Sequence, residues 1–332
     1  EVAPRLIQTY DRARLLVSNT GPEGEGYSMC TRCGLIEPTA TETPLVSGSH
    51  PKPYPDPRHP NCDGGARTNG LVLGTDFFSD VLLLRLRVDD PVTLRLRYQA
   101  TQVALRTLAE AITIAAAAKL GIEPTELDAE FRAALTPAGG YGREAEIYLY
   151  DTLPGGAGFT RRVGELGIQV YEDALKLLEG CPEQCDESCY RCLRSFRNRF
   201  DHSMMDRHIG ASLLRYLLHG TEPQLEAARL ERSAHSLYED LRLLGEAGVD
   251  FDRNVPVTMP GIGTVIAPIQ ATKNGRQFIV GVSGPLTPNK ASDPTLQDAK
   301  ENQIGVPVRL VDDLVIRRHL PNASRSVLEL LR

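Results

Sequence analysis

At 332 residues the chain has room for two to three domains of roughly 100–200 residues each, and its apolar share of 41 % can build cores and excludes wholesale disorder. The 43 acids against 37 bases leave a net charge of −6, which excludes a uniformly basic nucleic-acid coat and confines any such contact to a local basic patch. No apolar run approaches the roughly 18–20 residues that span a bilayer and no signal segment opens the chain, so no membrane partner is expected.

The first residue is Glu1, as in a fragment or a processed product. Residues 1–20 read as strands feeding a metal site. From Gly21 to about Gly70 the sequence is rich in Gly, Pro, Ser and Thr and too poor in apolar residues to bury a core. Here Cys30-x2-Cys33, with its turn residue Gly34, precedes His59-Pro60-Asn61-Cys62. A C-x2-C pair on a tight turn presents two thiolates to one ion, and the H-x2-C pair can complete a tetrahedron of three sulfurs and one nitrogen. The expected ligands are Cys30, Cys33, His59 and Cys62, with His50 as a competitor that has no thiol two residues away. The alternative is a set of buried or paired cysteines. Residues 1–70 are expected to form N-terminal strands and a zinc-ribbon-like segment organised by its metal.

Residues 71–98 carry strand signals, and the alternation of Leu94-Arg95-Leu96-Arg97 predicts a strand with one wet face. The alanine-rich stretch 100–119 predicts a buried core helix ended by Gly121. A short helix over Glu126–Leu135, capped by Thr125, and a strand over Glu144–Tyr150 should follow. Tyr150–Phe159 (YDTLPGGAGF) reads as a strand-to-helix turn. It could cradle a phosphate at the helix start with help from Arg161 and Arg162, but a Gly-rich turn without a lysine fits a tight packing turn better. A helix over about 160–178 then leads to CPEQCDESCYRC.

All seven cysteines fall in two clusters, and this second one supplies Cys181, Cys185, Cys189 and Cys192. Four thiolates close a structural zinc site. An iron–sulfur cluster is the alternative, although Cys181 would fill the open iron position that the radical-SAM spacing of the other three requires. A disulfide framework suits small secreted domains, so a reducing cytoplasm is expected. Beyond Cys192, Leu193, Phe196, Phe200, Met204, Ile209, Leu213 and Leu217 recur at helical spacing. Arg191, Arg194, Arg197 and Arg199, beside Tyr190 and Phe200, form either a solvated helix face or a phosphate-contacting one. His202 and Asp206 lie one helical turn apart, and capping or packing explains them better than catalysis. Residues 71–222 are expected to form the core domain.

Residues 223–332 read as a small α+β domain. A helix covers Pro223 to about Leu244, then strands run through VPVTM, GTVIAPIQA and RQFIVGVSG. Turns are expected at Pro260-Gly261 and at Asn274-Gly275, the latter a hairpin signal. A helix around Thr295–Gln303, the strand VRLVDD and a final helix complete it. The pattern is reminiscent of restriction-endonuclease-like folds. Asp250 and Asp252 precede the strands, but Gln270-Ala271-Thr272-Lys273 lacks the carboxylate such a magnesium site needs, so the unit is expected to be catalytically silent or unrelated.

The YDTLPGGAGF turn, the four-cysteine cluster and CLRSFRNRFDHSMMDR together resemble the DUF1998 family, the MrfA zinc-binding (MZB) domain. LLVSNTGPEGEGYSMCTRCG followed by H-x2-C is similar to the segment leading into that domain in helicase-linked members. The resemblance covers about residues 10–220. It implies a metal at Cys181, Cys185, Cys189 and Cys192, in an α+β fold that joins a zinc-ribbon-like insertion to a mixed sheet with helices. Family members include the C-terminal part of MrfA-type DNA-repair helicases and DrmB, the helicase-associated protein of the DISARM anti-phage system. The chain has no G-x4-G-K-[ST] loop and no DExH-type box, so no ATP motor is encoded in it. The resemblance implies a DrmB-like subunit, and with the pair of metal sites, the arginine-rich stretch and the missing motor the expectation is a non-catalytic accessory module carrying two Zn²⁺. It would dock on a superfamily-2 helicase subunit and engage DNA through Arg161, Arg162, Arg191, Arg194, Arg197 and Arg199. The alternatives are the zinc domain of an MrfA-like repair helicase, a nuclease acting through the C-terminal unit, and a scaffold without DNA contact.

Overall fold

The computed structural model describes residues 1–42, 44–135, 137–245, 248–259, 261, 263–302 and 306–331. The backbone divides into two units, one of Glu1–Asp11, Val81–Thr152 and Gly158–Arg332, the other of Arg12–Asp80 and Leu153–Ala157. The polar segment expected over 1–70 thus extends to Asp80 and takes in the Gly-rich turn, while the regions expected as separate 71–222 and 223–332 domains share one unit. Two long strands, β1 (Leu6–Asn19) and β7 (Leu73–Arg87), belong partly to each. Among the described residues no helix is long and apolar enough to cross a membrane.

The smaller unit is built from short pieces. Strands β2 (Tyr27–Cys30), β3 (Ile36–Pro38) and β6 (Arg67–Leu71) form a sheet in the order β3-β2-β6, and β4 (His50–Pro51) pairs with β5 (Asn61–Cys62). Among the described residues its buried apolar core is Cys30, Cys33, Val46 and Cys62, with Leu35 packed alongside. Three thiols and two aliphatic side chains cannot offset the ordering entropy of so long a segment, which leaves a metal as its organiser.

In the larger unit the remaining halves of β1 and β7 join β8 (Leu127–Ala133) and β9 (Glu144–Asp151) in the order β1-β7-β9-β8. The sheet packs on α1 (Gln99–Leu120), buried from Ala100 to Ala117 at nearly every position and ended by Gly121 in the left-handed region. The alanines let other helices approach closely: α3 (Ile168–Glu179) and α4 (Arg207–His219) both pack on α1. At Gly210 of α4 a Cβ would lie 2.5 Å from Thr107 Cγ2, so only glycine fits.

Several sequence expectations are corrected here. Leu94–Arg97 is irregular rather than a strand, because its amides serve other partners: Thr93 N donates to Leu286 O and Leu94 N to Gly142 O. The helix expected over 126–135 is strand β8. Leu127 and Ala129 are buried while Asp128 and Glu130 are not, the period-two pattern of a strand on β9. The helix expected over 160–178 breaks into α2 (Phe159–Leu166) and α3 at Gly167, whose φ of 59° and ψ of −133° suit glycine alone. The helical spacing from Leu193 to Leu217 conceals turns and a 3-10 segment, Arg199–Met204, and α4 begins only at Arg207.

The C-terminal portion forms a five-stranded sheet from β10 (Val249–Met259), β11 (Gly263–Lys273), β12 (Arg276–Gly284), β13 (Thr287–Ala291) and β14 (Val308–Asp312), with β14 parallel to β12. The β11–β12 hairpin turns at Asn274 and Gly275, both with positive φ (51° and 78°), as the sequence predicts. Helices α5 (Ala227–Leu244, shorter than the expected start at Pro223), α7 (Asp313–Arg318) and α8 (Leu320–Leu330) share a core with Ile269, Val280 and Val282. A second core, around Val257, Ile279 and Leu296, includes α6 (Pro294–Asn302). Pro260 and Gln303, parts of an expected turn and helix, lie outside the described residues. Asp250 and Asp252 are exposed on β10 opposite Thr272 and Gln270, so no second carboxylate faces them across the strand pair.

Candidate metal centres

In the smaller unit the β4–β5 pair sets His50 directly opposite Cys62, and the C-x2-C turn brings Cys30 and Cys33 to the same point. All four donors are buried. Cys30 Sγ and Cys62 Sγ stand 3.8 Å apart, and Cys33 Sγ lies 3.1 Å from His50 Nε2. Four sulfur donors placed about 2.3 Å from one ion are separated by about 3.8 Å, so the spacing is that of ligands around a single tetrahedral ion rather than of disulfides. All seven cysteines are free. The histidine expected at position 59 is not at the centre. His59 is exposed, with its backbone N–H on Asp56 Oδ1, because the short β4–β5 ladder selects the residue facing Cys62 and not the one spaced to suit an H-x2-C motif.

His50 is pre-oriented. Its Nδ1 lies 2.7 Å from Gly48 O, which assigns the proton to Nδ1 and leaves the Nε2 lone pair for an ion. That bond also raises the pKa of the ring. Gly64, at φ 69°, sits beside the same carbonyl: a Cβ there would be 2.2 Å from Gly48 O. Backbone N–H groups of Cys33 and Arg32 bring the Cys30 thiol down to about 6, which favours a thiolate.

The second set is Cys181, Cys185, Cys189 and Cys192. Four sulfur–sulfur distances are 3.6 Å (181–185), 3.6 Å (181–189), 3.8 Å (185–192) and 3.7 Å (189–192). These too are tetrahedral edges around one ion. An iron–sulfur cluster divides its thiolates among several irons and spreads them further apart, so the geometry fits the zinc reading and not the cluster alternative. Burial works against a Cys181 thiolate, but backbone N–H donors from Cys185 and Glu183 outweigh it and lower its pKa to about 6. Both centres have four protein donors and no open position, the arrangement of structural zinc.

A framework that the spacing did not reveal holds the second loop. Buried Arg207 donates to the carbonyls of Cys185, Leu178 and Glu179, and its own amide donates to Glu187 O. Glu187 accepts from Arg317 (2.8 Å) and Arg318 (2.9 Å) of α7. Arg317 also reaches Asp206, which is fully buried and caps α4 by accepting from the amides of His208 and Ile209. His202 is turned elsewhere, with Nε2 3.0 Å from both Ser195 O and Asn198 Oδ1, so His202 and Asp206 form no pair.

At the Gly-rich turn the packing reading, favoured by the sequence over a phosphate cradle, is the one the structure shows. Asp151, buried at the end of β9, accepts from the amides of Phe159 (3.0 Å) and Thr160 (2.8 Å) at the start of α2, where an anion would sit. Gly155 donates to Phe78 O and a Cβ on Gly156 would meet Asp80 at 2.3 Å, so the turn is a tight packing element. Arg161 pairs with Glu165, and Arg162 is exposed. Of the other four arginines, Arg194 donates to Ser188 and Arg197 to Leu127 O beside Glu110 and Asp128, whereas Arg191 and Arg199 are exposed.

Residues 108–193 match the family model of the MrfA Zn-binding domain. The Druantia protein DruE of Escherichia coli (strain UMEA 4076-1) is 31 % identical over 335 residues, which cover 96 % of this chain and 17 % of that protein. The chain thus spans about a sixth of the length of this relative. The crystal structure of the DUF1998 helicase MrfA bound to DNA aligns over 58 % of this chain and 23 % of that one, at 14 % identity and a TM-score of 0.31. The matched segment runs from the middle of α1 through the four-cysteine loop, so this part of the chain is similar to the MrfA Zn-binding (MZB, DUF1998) domain.

Proposed function

We propose that the chain is a zinc-organised module of an anti-phage defence protein, which engages DNA and works beside a superfamily-2 helicase motor without performing catalysis itself. The observation that carries this reading is the pair of closed four-donor centres: each has a full set of protein ligands and so serves as architecture rather than as a site for substrate. The likeness to DruE along nearly the whole chain supports the defence context. Attribution to a DrmB-like subunit in particular rests on the sequence resemblance alone. The phosphate-contacting role falls to Arg191, Arg199 and Arg162, which are exposed and have no carboxylate partner among the described residues, more than to Arg161, which pairs with Glu165, or to Arg194 and Arg197, which are half-buried and donate to Ser188 and Leu127 O.

Elemental analysis of the purified chain tests the metal part, with two zinc per chain expected and one or none refuting it. Co-purification with a helicase, and DNA affinity that falls steeply with salt, test the rest. A second reading, in which this region is a zinc domain within a longer helicase-type protein, is supported by the match to only 17 % of DruE. In that case the motor co-purifies as one polypeptide and not as a subunit.

A further inference from the structure

The segment from Cys189 to Met204 is built inside out. Two of its polar side chains point inward: Asn198 is 6 % exposed and donates to Leu193 O, and Arg197 donates to Leu127 O. Its aromatic rings point outward, with Tyr190 68 %, Phe196 77 % and Phe200 81 % exposed. Three such rings standing in water on one short segment oppose the usual partition of apolar surface and call for a binding role.

The rings are fixed in place. The Arg199 guanidinium lies over both phenyl rings, 4.5 Å from the centroid of Phe196 and 4.3 Å from that of Phe200, and it also donates to Phe196 O. Tyr190 packs edge-on against His202 at 5.4 Å, and His202 is held in turn by Ser195 and Asn198. Within the same segment, Cys189 and Cys192 belong to the second four-cysteine group. Among the described residues neither Arg191 nor Arg199 pairs with a carboxylate, so two cations stand unneutralised beside three rings. Asp201, the nearest acid in the segment, faces Arg106.

Flat apolar faces interleaved with guanidinium groups that no carboxylate neutralises are suited to bases that can leave a helix, together with the phosphates between them. We infer that Tyr190, Phe196 and Phe200 form a stacking platform for single-stranded DNA, with Arg191 and Arg199 contacting its backbone. This rests on the DNA-engaging reading above and names the form of DNA and the side chains. Duplex DNA hides its base faces and can use only the arginines. Because the rings are already ordered by Arg199 and His202, binding costs little additional side-chain entropy.

The test uses the zinc-loaded 332-residue chain with labelled oligo-dT, oligo-U and a blunt DNA duplex at fixed salt. Removing one ring by Phe196→Ala or Phe200→Ala should weaken oligo-dT binding between about fivefold and a hundredfold, and leave the duplex within about twofold. Both rings are exposed, so circular dichroism and zinc content should not change. The chain contains no tryptophan, so Phe200→Trp introduces a single indole, which should keep oligo-dT affinity and be quenched on binding. Oligo-dT affinity unchanged in both alanine variants, or an unquenched indole, overturns the stacking platform. So does an equal loss for duplex and single strand, tighter binding of oligo-U, or self-association that the alanine variants abolish. If no nucleic acid binds in any form, the DNA-engaging reading falls as well. If oligo-dT binds and the ring variants bind like the parent, only the platform falls.

Discussion

A zinc ligand needs a free lone pair, a fixed tautomer and a place on the tetrahedron. His50 meets all three, through the Gly48 carbonyl on Nδ1, Nε2 turned towards Cys33, and ladder pairing with Cys62. His59 is exposed and lies outside the four-donor group. His50→Ala should therefore weaken zinc at the first centre by more than the roughly 10–100-fold that loss of an outer-shell contact costs, whereas His59→Ala should leave zinc content unchanged. Competition with a chelator, followed by metal analysis, measures both. The reverse result would return the ligand to position 59. The thiols were legible from the sequence because C-x2-C spacing is a local constraint. The histidine was not, because a strand pairing across the intervening loop decides which imidazole arrives.

Among the elements, β9 shows how a charged residue becomes part of a sheet. Glu146 is 2 % exposed and stands directly opposite Arg85 on β7 and Arg132 on β8. It accepts from Arg85 (3.0 Å), Arg132 (2.9 Å) and Tyr148 Oη (2.8 Å). Burial opposes its ionisation, but the tyrosine hydroxyl and the two guanidinium groups outweigh that and hold its pKa below the usual glutamate value. With the folded pKa depressed, this contribution to stability is fully present above the unfolded value near 4.5 and is lost as pH falls through the lower folded value. Glu146→Gln should cost about 1–2 kcal/mol at pH 7, a modest figure because the two arginines are partly exposed and screened. The gap between parent and variant in thermal melts should close as pH is lowered through the folded pKa. A gap that persists in acid would mean that packing, not charge, is what the side chain supplies. This cross-strand triplet depends on 127–133 being a strand, where pairing with β9 outweighs the helical propensity of the residues.

For the whole molecule the two centres should differ in reach. The first organises a unit whose apolar core is little more than its own thiols. The second borders the main core, which includes Cys181 and Cys192, and its Glu187 holds α7 through Arg317 and Arg318. Structural zinc contributes on the order of 10–16 kcal/mol where the apo segment is unfolded. Cys33→Ser should therefore expose amides within 12–80 to hydrogen exchange and leave α1, α3 and α4 protected. Cys189→Ser should loosen α3, α4 and α7 together. Equal, purely local losses in both variants would contradict this division of labour.

What the sequence determined by itself was chemical and short in range: the two groups into which the seven sulfurs fall, the buried alanine helix, the Asn274-Gly275 hairpin and the resemblance of the four-cysteine segment to the MrfA Zn-binding domain. Each depends on residues a few positions apart, so local spacing carries the information. What only the tertiary structure decided depends on which distant groups meet. Asp151 reaches the start of α2 and displaces any phosphate, His50 replaces His59, and Arg207 with Glu187 ties the thiolate loop to α4 and α7. Of the six arginines, Arg161, Arg194 and Arg197 meet Glu165, Ser188 and Leu127 O, while Arg162, Arg191 and Arg199 have no carboxylate partner among the described residues. Those choices are made by burial and strand register, in which a residue's partners lie tens to more than a hundred positions away and no local period records them.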